Sequence, residues 1–166
     1  MTVREQAEQI KAGVRTSVSL CEECVHRIQE NDQAIRKLNA VSALAPDWRK
    51  QAEELDRSPD KGSSDKPLYG IPVLVKDNIE IKGMANTAGS YVLQDLIAEE
   101  DSFVVKKLRE AGAVILGKCN LSEFAYWMSE DGMPSGYSSL SGQVVHPYNP
   151  AYDPSGSSSG SARFHQ

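Results

Sequence analysis

The feature that most constrains the fold is an apolar run at residues 71–75, Ile-Pro-Val-Leu-Val, closed by Lys76 and Asp77. It is too short for a helix and apolar at successive positions, the pattern of a strand covered on both faces. A second such run, Ala113 to Leu116, follows a helical segment. Asp101 and Ser102 can cap that segment, which carries Phe103, Val104, Leu108 and Ala111 and stops at Gly112. Strand, helix and strand with short links predict a βαβ unit with parallel strands.

Residues 1–57 read as helical. Val3, Ala7 and Ile10 share one helical face, and Gly13 ends that segment. Ser17 is placed to cap a second helix carrying Cys21, Cys24, Val25 and Ile28. After a short apolar stretch at 38–45, Pro46 suits the first turn of a third helix ending near Arg57. Residues 58–66 hold no apolar side chain and read as an exposed loop. Residues 67–162 read as mixed α/β with long loops, dense in Gly, Ser and Pro from Gly132 onward.

Charge and length exclude several roles. Eighteen Lys+Arg against 23 Asp+Glu leave a formal net charge of −5, which argues against non-specific nucleic-acid binding. No apolar run reaches the roughly 18 residues a membrane span needs. The start, Met1-Thr2-Val3-Arg4-Glu5, lacks the parts of a signal peptide, so a cytoplasmic location is expected. Three cysteines in a chain of 166 residues do not suggest a disulfide scaffold.

Several residues are candidates for chemistry. Cys21 and Cys24 have the spacing of a metal or redox pair, but no second pair completes a zinc site, and two small apolar residues on a buried helical face is the favoured reading. His26, His146 and His165 are too scattered to argue a Ser-His-Asp arrangement. Lys76 stands at the end of a buried strand. There it either snorkels to solvent or is desolvated, with a lowered pKa that suits a base at neutral pH. The stretch Asp153 to Ala162, DPSGSSSGSA, is either a flexible linker or a loop whose backbone N–H groups form an anion-binding nest.

Together these segments resemble the amidase signature family. The resemblance is carried by PLYGIPVLVKDNI at 67–79, TAGS at 87–90, VVKKLREAGAVILGKCNLSEFA at 104–125, Asn149-Pro150 and DPSGSSSGSA. It implies a mixed sheet between helices and amide hydrolysis by a Ser-cisSer-Lys triad, with no cofactor and no metal. Lys76 falls on the family's lysine. Aligning the loop on the family's G-G-S-S-G-G-S-A puts Ser157 on the cis-serine. Two Gly-to-Ser departures, at Ser155 and Ser159, loosen that register, so Ser158 is the alternative. Tyr126, Trp127 and Met128 either line an acyl site or belong to the core.

The family's nucleophilic serine lies in a G-[ST]-D-x-G-G-S segment that these residues do not contain, and 163–166 (Arg-Phe-His-Gln) do not resemble the family's continuation. The chain is therefore expected to be an N-terminal fragment with an incomplete sheet: a truncated core at 67–162 and an atypical tail at 163–166. It is expected to be inactive alone and prone to self-association through an open sheet edge. Residues 152–166 are expected to be mobile, with a trans peptide bond before Ser157. The expected partner of the complete protein is a small-molecule amide, with no nucleic acid and no membrane. A stretch at 123–143 resembles stand-alone amidases more than the A subunit of the glutamyl-tRNA(Gln) amidotransferase, which is the alternative. A non-catalytic remnant is the third reading.

Overall fold

The computed structural model describes residues 2–59, 65–127 and 132–164. The chain runs through α1 (Val3–Lys11), α2 (Ser17–Arg27), a π-helical stretch (Ile28–Ile35), β1 (Val41–Leu44), α3 (Trp48–Arg57), β2 (Pro72–Lys76), α4 (Phe103–Glu110) and β3 (Val114–Cys119). A hairpin of β4 (Tyr137–Ser138) and β5 (Gly142–Gln143) follows, then α5 (Ser159–Phe164).

β3 is the central strand. It pairs parallel with β2 and antiparallel with β1, giving the order β1-β3-β2. All six of its residues are buried, and the strand runs to Cys119, three residues beyond the apolar run expected at 113–116, so that it carries Lys118. Val114 and Leu116 face Cys21, Ile28 and Ala52 of the helical layer. Ile115 faces the other way, toward Val75, Ile81, Met84 and Val105. The βαβ unit is present as β2, α4 and β3.

Several local readings differ from the sequence expectation; Pro46, expected in the first turn of the third helix, precedes the N-cap Asp47 of α3. Residues 41–44, inside the segment read as helical, form β1, because the stretch finds a partner in β3, with Val41 opposite Cys119. The cap of α2 is Thr16, whose hydroxyl accepts from Ser19 N–H at 3.0 Å. The N–H groups of Ser17 and Val18 instead donate to the Asp56 carboxylate at 2.7 and 3.0 Å, tying α2 to α3. In α4 the core residue is Val105, whereas Phe103 is 77% and Val104 46% exposed. Its cap is Ser102, and Asp101 is engaged by Arg109 and by Lys82 N–H. Of the loop expected at 58–66, residues 60–64 lie outside the described residues; Pro59 and Asp65 are exposed.

The serine loop also departs from expectation. The Gly156–Ser157 bond is cis, not trans. The loop is docked on the chain that continues from β3: Ser122 N–H donates to Ser157 O at 2.9 Å and Gly160 N–H to Asn120 O at 3.0 Å. Gly160 fits because it has no side chain; a Cβ there would lie 2.1 Å from Ala40 O and 2.8 Å from Asn120 N and O.

Candidate active site

Two lines of backbone bring the candidate residues together. In the sheet, Lys76 is in register with Cys119, and Asp77 N–H donates to Cys119 O at 3.0 Å. Three residues beyond Cys119, Ser122 holds Ser157 through its N–H. The extension of β3 is thus a rail with Lys76 on one side and the serine loop on the other.

Across this rail the Lys76 Nζ donates to Ser157 Oγ at 2.7 Å. Ser157 is half-buried and Ser158 exposed, so the structure brings the first of the two serines to the lysine. Burial lowers the Lys76 pKa from the ordinary lysine value, because desolvation disfavours the ammonium form. Ser155 adopts a left-handed φ of 63°, at the position where the resemblance places a glycine.

The rail is itself anchored. Asn120 N–H donates to Ala40 O at 2.8 Å and its Nδ2 to Asn39 O at 2.7 Å. The Asp32 carboxylate accepts from Ala40 N–H at 2.6 Å and Val41 N–H at 3.2 Å. Burial raises the Asp32 pKa, and these two hydrogen bonds oppose the rise. Ser122 Oγ accepts from Gly136 N–H at 2.8 Å. A Cβ on Gly156 would meet Ser122 Oγ at 2.7 Å and the Tyr126 ring at 3.0 Å, so Tyr126 packs beside the serine loop.

Other candidates lie apart. Trp127 is 89% exposed, and Met128 and His165 are outside the described residues. His146 packs on the rings of Tyr148 and Tyr152. His26 lies 3.3 Å from Glu30 on the exposed face of α2. Cys21 is fully buried in the core and Cys24 packs against that cluster. Burial pushes the Cys21 thiol up to about 12.

Sequence reasoning assigned no role to Lys118, Asp77, Asn120, Asp32 or Ser122. Lys118 is 1% exposed, and its Nζ lies 3.1 Å from an Asp77 carboxylate oxygen. The available signal was a lysine inside an otherwise apolar strand. A cleft of about 360 Å³ opens beside this pair, lined by Ser42, Asp77, Thr87, Gln94, Lys118 and Ser141; neither Lys76 nor Ser157 lines it.

Comparison with known proteins gives the family of the chain. The amidase family model matches residues 19–164. The native peptide amidase from Stenotrophomonas maltophilia is 42% identical and superposes with a TM-score of 0.92, over 98% of this chain and 33% of that one. A candidate amidase of Schizosaccharomyces pombe is 40% identical over 162 residues, 97% of this chain and 27% of its own length. The glutamyl-tRNA(Gln) amidotransferase of Endomicrobium trichonymphae has an A-type chain that is 35% identical over 163 residues, 96% of this chain and 31% of that protein. The chain belongs to the amidase family. It spans about a third of the length of these relatives, and its helices and small mixed sheet are part of the amidase signature fold.

Proposed function

We propose that this chain contributes the lysine and the middle serine of a Ser-cisSer-Lys amide hydrolase. The observation that carries the reading is the 2.7 Å hydrogen bond from Lys76 Nζ to Ser157 Oγ, with the lysine pKa lowered by burial. In the neutral state Lys76 accepts the Ser157 proton. Ser157 in turn takes a proton from the attacking serine, and the same path returns one to the leaving amine. The nucleophilic serine belongs to a segment that these 166 residues do not include.

The favoured activity is carboxamide hydrolysis by a stand-alone amidase rather than transamidation, supported by 42% identity over 98% of this chain to a peptide amidase, against 35% over 96% and 39% over 84% for two amidotransferase A subunits. The proposal includes a small-molecule amide substrate, no nucleic-acid or membrane partner, and a cytoplasmic location. Three free thiols support that location, and among the described residues no helix is long and apolar enough to cross a membrane.

The test is a chimera in which this chain replaces the matched third of the Stenotrophomonas maltophilia peptide amidase. Ammonia release from an amidated peptide is the expected result. A folded chimera that releases none contradicts the reading.

A further inference from the structure

Lys118 and Asp77 form a buried ion pair one residue from Lys76. Lys118 is 1% and Asp77 3% exposed. The Lys118 ammonium donates to Ala85 O at 2.6 Å and Asn86 Oδ1 at 3.2 Å, and faces Asp77 Oδ1 at 3.1 Å as an ion pair without hydrogen-bond alignment. The other oxygen of Asp77 accepts from the Thr87 hydroxyl at 2.7 Å, and that hydroxyl accepts from Gly89 N–H at 2.9 Å. The backbone of Asp77 is held as well, through its N–H to Cys119 O at 3.0 Å and its carbonyl from Ala88 N–H at 3.1 Å. The segment 85–89 is thereby fastened to the end of β2, and it carries further loops: Phe124 N–H donates to Ala88 O and Leu140 N–H to Gly89 O.

A buried ion pair is a poor way to gain stability, since apolar residues of similar volume often serve as well or better. What it supplies here is direction. Its donors and acceptors join β3, the end of β2 and the segment 85–89.

We propose that Lys118 and Asp77 are positioning residues, which set the end of β2 so that Lys76 Nζ reaches Ser157 Oγ. The inference rests on the proposed role of Lys76. It is read without substrate, so its failure is distinct from failure of that role.

The experiment follows the Lys76 ammonium by NMR titration in the 166-residue chain, together with its rate of acylation by an amine-reactive ester. The double variant Lys118→Met/Asp77→Leu removes both charges and keeps the space filled. Its Lys76 is expected to titrate higher, toward the ordinary lysine value, as it leaves its half-buried position, and to acylate faster at a pH above that value. Thr87→Val keeps the ion pair and removes the hydroxyl that joins Asp77 to Gly89; it is expected to move Lys76 the same way, by less. Thr87→Val decides the matter if the double variant does not fold. Ile10→Val, a change in the core beneath α1, is the control and should leave Lys76 unmoved. If neither folded variant shifts Lys76, or the control shifts it as far, the proposal is overturned.

Discussion

Lys76 and Ser157 stand 81 positions apart in the chain, and the lysine Nζ donates to the serine Oγ at 2.7 Å. The contact exists because both residues are fastened to one rail. The rail is the last residue of β3 and the three that follow it, with β2 paired along one side and the serine loop hydrogen-bonded along the other.

The docking of that loop depends on Gly160. A Cβ at this position meets backbone atoms of Ala40 and Asn120, which cannot swing aside. Gly160→Ala is expected to cost at least about 1–3 kcal/mol and to detach the loop. Hydrogen exchange checks it: the Ser122 amide, which donates to Ser157 O, should lose protection in the variant.

Lys118→Met alone leaves the Asp77 carboxylate buried without its cation. Breaking a buried pair from one side costs about 3–5 kcal/mol, so the urea midpoint should fall steeply. The double variant with Asp77→Leu should recover most of the loss.

Cys21 gives a pH dependence whose sign is fixed. Its thiol is held up to about 12, against an ordinary value of 9.0, mainly by burial. The folded state keeps its proton where the unfolded state has lost it. This contribution to stability is therefore complete below about pH 9 and is lost as pH rises from there toward 12. Cys21→Ala should lower stability at pH 8 but flatten the decline above pH 9, its ordinary value. Comparison with the wild-type chain separates this effect from Lys76 and Lys118, whose buried ammonium groups act with the opposite sign.

β1 and β2 form the two edges of the three-stranded sheet. Open edges template pairing with other chains. Sedimentation of the purified 166-residue chain should show concentration-dependent association, and its turnover of small amides should be undetectable.

The parts legible in the sequence are those that depend on local pattern. The apolar runs ending at Lys76 and at Leu116 gave both parallel strands, and Ser102 and Gly112 bracket α4 as their types require. β1 was not legible, because the stretch at 38–45 becomes a strand only through pairing with β3, a long-range contact. Lys76 and the serine run are candidates on physical grounds, but a strand-end lysine and a Gly/Ser loop are each common, and only the resemblance joins them into one site. The Lys118–Asp77 pair went unread because a lysine within a strand gives no sign of its partner 41 positions earlier; only the fold brings Asp77 beneath it.

The central claim is that Lys76 and Ser157 act as one proton relay. It is tested most directly by kcat/KM for amide hydrolysis in the chimera with the Stenotrophomonas maltophilia peptide amidase. Lys76→Ala and Ser157→Ala should each lower it by about 10³-fold or more, as for residues that act as a unit, whereas Ser158→Ala and Ser155→Ala should have mild effects. Activity retained in Ser157→Ala and lost in Ser158→Ala, or retained in Lys76→Ala, would contradict the claim.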